Sequence, residues 1–122
     1  MAEILVIDDS SFARKLIREI LKQGDFDVVE AVNGREGMEL YKKSAPDAIV
    51  LDLLMPDVDG VAVLKELKRM ENEAPVVVVS ADIQRNTRQT VEELGAFAFL
   101  NKPPDPNKLV ETIKAALDGS EA

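Results

Sequence analysis

Apolar residues fall into five short, nearly unbroken runs: Ile4-Leu5-Val6-Ile7, Val28 to Val32 around Glu30, Ala48-Ile49-Val50-Leu51, Val76 to Val79, and Ala96 to Leu100. Runs of this length that are continuous rather than alternating predict strands buried on both faces, as in a parallel sheet between two helical layers. Between the runs, the apolar positions switch to helical spacing. Phe12, Leu16, Ile17, Ile20 and Leu21 predict an amphipathic first helix that stops near Gly24. Asn33 with Glu36 has the form of a capping box for a second helix through Met38, Leu40 and Tyr41, and Asp59 or Asp57 is placed to cap a third through Val63, Leu64 and Leu67. A fourth helix, beginning near Asp82, is mostly polar, with Ile83, Val91 and Leu94 as its apolar contacts and Gly95 at its C-terminal end. Asp105 as N-cap and Pro106 at the first helical position open a fifth helix, striped by Leu109, Ile113, Ala116 and Leu117. The pattern is (βα)5.

Composition narrows the chemistry. A chain of 122 residues, 46% hydrophobic, is the size of one domain, and residues 1–122 are expected to form one with no output domain. The net charge of −8 argues against a nucleic-acid or anionic-membrane surface, so proteins and cations are the expected partners. There is no cysteine, which removes thiolate metal sites, and no histidine, which removes Ser-His-Asp and Cys-His catalysis and any phosphohistidine relay within the chain. Histidine chemistry must come from a partner. The N-terminus lacks the basic and long apolar regions of a signal peptide, and no apolar run approaches a membrane span, so a cytoplasmic location is expected.

Polar residues follow four of the five runs: Asp8-Asp9, Asp52, Ser80 and Asn101-Lys102. In an open doubly wound sheet, ligands bind beyond the carboxyl ends of the strands where strand order reverses. If the order is 2-1-3-4-5, the first and third strands are adjacent there. Asp8, Asp9 and Asp52 then converge, with Ser80 and Lys102 flanking them. Clustered carboxylates repel, so either one holds a proton or a cation neutralises them. Mg²⁺ suits such a pocket, because it takes oxygen ligands and binds through one or two carboxylates plus phosphate oxygens. A carboxylate is also a nucleophile toward phosphorus, and phosphoryl transfer needs mainly positioning and charge neutralisation. Taken singly, each residue has a plainer explanation: Asp9 or Ser10 as a helix cap, Ser80 as a turn hydroxyl, Lys102 as a solvated charge. Their joint placement favours a site.

Over essentially the whole chain, these residues resemble the receiver domain of two-component response regulators, especially the single-domain chemotaxis type. The likeness rests on Ile7-Asp8-Asp9-Ser10, Leu51-Asp52-Leu53-Leu54-Met55-Pro56 with Asp59-Gly60, Val79-Ser80-Ala81 and Lys102-Pro103, all in order. It implies a flavodoxin-like doubly wound α/β fold, with a five-stranded parallel sheet of order 2-1-3-4-5 and helices on both faces. It also implies Asp52 as phosphoacceptor and Asp8, Asp9, Asp52 and the Leu54 carbonyl as ligands of Mg²⁺, with Mn²⁺ able to substitute. Ser80 becomes the switch hydroxyl, Lys102 the phosphoryl contact with a cis bond to Pro103, and Phe99 the aromatic that rotates inward on activation. Phenylalanine has no hydroxyl, so that switching must work by packing. Leu54 and Asp82 match positions that tune phosphoryl lifetime in the family, while Pro104 stands where a hydrophobic side chain is more usual.

The expected function is a signalling switch, in a chemotaxis pathway on overall similarity. A histidine kinase is the phosphodonor, and an effector or phosphatase binds the face of the fourth helix, fifth strand and fifth helix. The chain is expected to be a monomer and no enzyme beyond its own phosphorylation and dephosphorylation. Three alternatives share the fold class: a phosphorylation-independent interaction module, an aspartate-nucleophile phosphohydrolase, and a flavodoxin-like cofactor binder. The hydrolase family tends to carry a second aspartate where this chain has Leu54, and no Gly/Thr/Ser-rich phosphate loop follows the first run.

Overall fold

The computed structural model describes residues 1–81 and 84–119. Strands and helices alternate along the chain: β1 (Glu3–Ile7), α1 (Ser11–Gln23), β2 (Asp27–Ala31), α2 (Gly34–Ser44), β3 (Ala48–Leu51), α3 (Gly60–Arg69), β4 (Val76–Ser80), α4 (Arg85–Glu93), β5 (Ala98–Asn101) and α5 (Pro106–Leu117). The five strands form one parallel sheet of order β2-β1-β3-β4-β5, as the sequence pattern implied.

The unbroken apolar runs have a direct structural reason. Successive side chains of a strand point to opposite faces, and each face of this sheet carries its own core. Ile4 and Val6 pack with Ile17, Leu21, Leu109 and Ile113 beneath α1 and α5. Leu5 and Ile7 pack with Leu51, Leu64, Leu67 and Val91 beneath α2, α3 and α4. The central strands β3 and β4 are buried throughout, whereas the edge strands β2 and β5 are only partly covered.

The caps follow local chemistry. Ser10, Asn33, Asp59 and Asp105 each accept a hydrogen bond from a backbone N–H three residues on, at Ala13, Glu36, Ala62 and Lys108. Asp59 is thus the cap of α3. Asp57 serves another helix: its carboxylate accepts from the N–H groups of Gly34 and Arg35, at 3.2 and 3.1 Å, at the start of α2.

Several boundaries differ from expectation. β2 runs from Asp27 to Ala31 rather than from Val28 to Val32. β4 continues through Ser80, and β5 starts at Ala98 and includes Asn101, so two polar residues expected beyond strands are their last members. β5 starts late because the Ala96 N–H closes the end of α4 on the Val91 carbonyl. α4 begins at Arg85 rather than near Asp82, and its cap, Gln84, makes no side-chain capping bond. Asp82 and Ile83 lie outside the described residues. Val91 alone of α4 is fully buried. At the end of α1 the left-handed residue is Asp25, with φ 67°, while Gly24 keeps a negative φ.

Gly60 fixes how closely α3 approaches the end of β3. A Cβ there would lie 2.4 Å from the Asp52 carbonyl oxygen and 2.6 Å from Leu53 Cα, both backbone atoms that cannot rotate away. Gly95, with φ 93°, has open space where its Cβ would be. We therefore expect Gly60→Ala to cost about 3 kcal/mol, the upper end for overpacking. Gly95→Ala should cost only the left-handed backbone penalty of about 1–2 kcal/mol. Urea unfolding of both variants checks this. An equal or smaller loss at Gly60 would show that the segment after β3 shifts freely.

Candidate functional site

The parallel sheet brings the ends of β1, β3, β4 and β5 to one edge. The register pairs Ile7 with Leu51, so the residues that follow, Asp8 and Asp52, leave adjacent strands at the same level. The Asp8 N–H donates to the Ala31 carbonyl at 3.2 Å and the Asp52 N–H to the Ile7 carbonyl at 3.0 Å, which continues the sheet bonding one residue into each loop. One carboxylate oxygen from each of Asp8, Asp9 and Asp52 lies within 4.8 Å of the others. Asp8 and Asp52 are almost completely buried, at 1% and 4% exposure, and Asp9 is exposed at the mouth.

A single cation from β5's end enters this cluster. Lys102 Nζ lies 2.8 Å from Asp8 Oδ2 and 3.5 Å from Asp52 Oδ2. Burial works against its charge, but the contact with Asp8, followed by the charge of Asp52, outweighs it and holds the ammonium above the usual lysine range. Burial pushes the Asp52 carboxyl above the usual carboxylate range, and the charge of Asp8 adds to this. Lys102 and the backbone N–H groups of Leu54 and Leu53 only partly offset the rise. The Leu53 N–H donates to Asp52 Oδ1 at 2.8 Å, which leaves Oδ2 toward Lys102.

Asp8 turns one carboxylate oxygen to the backbone and the other to Lys102. Its Oδ1 accepts from the Ser10 N–H at 2.8 Å. Its Oδ2 is buried and, despite the ion pair with Lys102, has no aligned hydrogen-bond donor. A buried carboxylate oxygen short of a donor, beside two further carboxylates, fits a hard divalent cation with oxygen ligands.

Ser80 is fully buried at the end of β4, its carbonyl accepting from the Lys102 N–H at 3.1 Å. The Lys102–Pro103 peptide is cis. Leu54 turns its side chain into solvent at the rim, 58% exposed, while its N–H faces the Asp52 carboxylate. Phe99 stands apart from the acidic cluster: it is partly buried on β5, with the Arg88 guanidinium of α4 4.9 Å from its ring centroid. Asp82 lies outside the described residues.

Two supports were not evident from sequence. Asp57 ties the segment after Asp52 to the start of α2. Burial works against its charge, but the backbone N–H groups of Val58, Arg35 and Gly34 together outweigh it and hold its carboxyl below the usual range. Arg14 donates to the Asp8 carbonyl at 2.7 Å. Sequence gives only a weak signal for either: the partners of Asp57 lie 22 and 23 residues away, and no local pattern marks the reach of Arg14 back to Asp8.

Comparison with known proteins agrees with this geometry. The family model described as "Response regulator receiver domain" matches residues 4–114. The chain is 36% identical to the chemotaxis protein CheY of Bacillus subtilis over 116 residues, which cover 94% of this chain and 97% of that one. It is 40% identical to the transcriptional regulatory protein PrrA of Mycobacterium bovis over 114 residues, 93% of this chain but 49% of that one. Among solved structures, the Vibrio cholerae chemotaxis protein CheY4 superposes with a TM-score of 0.88 at 26% identity, covering 95% of this chain and 98% of that one. With a family match that spans all five strands and an acidic edge built from their ends, the chain belongs to the response regulator receiver domain family.

Proposed function

We propose that this protein is a phosphorylation-activated switch of a two-component system, in which Asp52 takes a phosphoryl group from the phosphohistidine of a partner kinase. The carrying observation is the convergence of buried Asp8 and Asp52 with exposed Asp9 and the Lys102 ammonium at one strand edge. An Asp52 carboxylate oxygen attacks phosphorus in line. The P–N bond to the donor imidazole breaks, its electron pair stays on that nitrogen, and an acyl phosphate forms. Asp8, Asp9, Asp52 and the Leu54 carbonyl are the groups that would hold Mg²⁺ or Mn²⁺. The bound ion supplies charge neutralisation between these carboxylates and the incoming phosphoryl oxygens. Lys102 adds a second positive charge from the end of β5, and Ser80 supplies a hydroxyl to the phosphoryl group.

The new charge draws on Ser80, and the α4–β5–α5 face with Phe99 shifts between pre-existing states that an effector or phosphatase distinguishes. The CheY relatives, matched over nearly their whole length, support chemotaxis as the pathway. We read this protein as a cytoplasmic, monomeric switch that acts on no other substrate. Among the described residues no helix is long and apolar enough to cross a membrane.

The direct test is incubation with a small acyl phosphate, with and without Mg²⁺, read by intact mass. We expect one base-labile phosphoryl group, dependent on Mg²⁺ and absent in Asp52→Asn. Modification that persists in Asp52→Asn would sink the assignment, and sustained Mg²⁺-dependent turnover of a separate small phosphate ester would favour a hydrolase instead.

The raised Asp52 pKa makes a second prediction. In the unfolded chain Asp52 titrates in the ordinary range, whereas the folded, cation-free protein keeps its proton to higher pH. Any contribution this group makes to stability is therefore complete below its unfolded pKa and is lost as pH rises through the folded one. In EDTA, Asp52→Asn should raise the melting temperature at neutral pH, and the gain should shrink as pH falls through the raised folded pKa toward the ordinary carboxylate range. Saturating Mg²⁺ should reverse the order by stabilising the wild type. A melting temperature lowered by Asp52→Asn in EDTA at neutral pH would contradict the assigned direction.

A further inference from the structure

Arginine is seldom buried unless paired, yet the Arg14 side chain is only 13% exposed, one turn into α1 directly behind the acidic cluster. Helical side chains lean back toward the N-terminus of their helix, and this one reaches back to the loop before it. A terminal guanidinium nitrogen donates to the Asp8 carbonyl at 2.7 Å. Its Nε, buried without an aligned acceptor, lies 3.5 Å from Glu30 Oε1. Glu30 also accepts from Arg18 at 2.9 Å through its other oxygen. The brace starts on β2, where Glu30 is the charged break in an otherwise apolar run, and it ends on Asp8. Together with the Ala31 and Ser10 backbone bonds, Arg14 leaves only Oδ2 of Asp8 without an aligned donor, and that oxygen faces Lys102.

We infer that Arg14 is a positioning residue for the cation site: braced by Glu30, it fixes the Asp8 carbonyl and so aims the Asp8 carboxylate into the pocket. This rests on the function proposed above, in which Asp8 ligates a divalent cation. Outer partners that orient metal ligands typically change affinity by about 10- to 100-fold when removed. The sign of the effect separates this role from the two plainer ones. A guanidinium acting only as a nearby charge repels a divalent cation, so removing it should tighten binding. A guanidinium acting only as packing should change the melting temperature and leave cation affinity alone.

The test measures Mn²⁺ affinity from the paramagnetic resonance of the free ion, with thermal unfolding in EDTA alongside, for the wild type, Arg14→Met, Arg14→Lys and Arg18→Met. We expect Arg14→Met to weaken Mn²⁺ binding about 10-fold or more. Arg14→Lys keeps the charge and should fall between the two, because an ammonium can reach the Asp8 carbonyl but lacks the guanidinium's second contact with Glu30. Arg18→Met, which loses a Glu30 partner without touching Asp8, should bind as the wild type does. Unchanged or tighter binding in Arg14→Met overturns the inference. If that variant does not fold, wild-type affinity in Arg14→Lys overturns it instead. A wild type that binds no Mn²⁺ refutes the cation-site reading itself, a separate failure seen before any variant is compared.

Discussion

Everything at the functional edge depends on keeping three carboxylates close together with one lysine among them. Two unit charges roughly 4 Å apart interact by about 4 kcal/mol at the effective dielectric typical near a protein surface. Asp8, Asp9 and Asp52 offer oxygens within 4.8 Å of one another, and two of the three residues are buried. Lys102 touches both buried carboxylates, yet Asp52 still titrates above its ordinary range. The repulsion is therefore reduced rather than removed. Such local frustration persists only where the surrounding structure over-determines it, and it marks functional sites for that reason.

The scaffold supplies that over-determination on one side of the site more than on the other. β1 and β3, which carry Asp8 and Asp52 on their next residues, are packed from both faces and paired in register. Gly60 sets the start of α3 against the Asp52 and Leu53 backbone, and Asp57 pins the intervening segment to α2. The side of α4 is different. That helix has one fully buried side chain and no side-chain cap, and it meets β5 through a cation–π contact between Arg88 and Phe99. Exposed contacts of that kind are worth about 0.5–1 kcal/mol.

What could be read in the sequence follows the range of the interactions. Asn33 with Glu36 and Asp105 with Pro106 are local signals, and the structure uses both as caps. The continuous runs of β1, β3 and β4 announce burial on two faces because nothing polar interrupts them. The late start of β5 was hidden, since Ala96 is apolar yet its N–H closes α4, while Phe97 already donates to the Val76 carbonyl of β4 just ahead of the strand. Asp57 and Asp59 both look like caps of α3. Only three-dimensional proximity assigns Asp57 to α2, more than twenty residues away in sequence. Glu30 was visible as an anomaly in its strand but not as the partner of two arginines on α1. The acidic cluster was legible from the family motif together with the rule that ligands gather at the strand ends where a doubly wound sheet reverses order.

The difference between the two sides gives a direction to any change the site undergoes. A phosphoryl group on Asp52 would bring about two negative charges to a pocket already short of positive charge, and the response must go where restraint is weakest. Movement toward α2 or α3 would break the Asp57 bonds or press Gly60 into backbone atoms. Movement toward α4 would begin at Ser80, buried at the end of β4, and pass into a helix that buries Val91 alone and lays Arg88 over Phe99. The energy released at the acidic edge is of the order of several such contacts, so rearranging that face lies within its reach while remodelling the core does not. A rigid half that holds the chemistry and a lightly held half that can answer it are thus both present in one small sheet: α3 buries Val63, Leu64 and Leu67 and Asp57 pins the start of α2, whereas α4 buries Val91 alone.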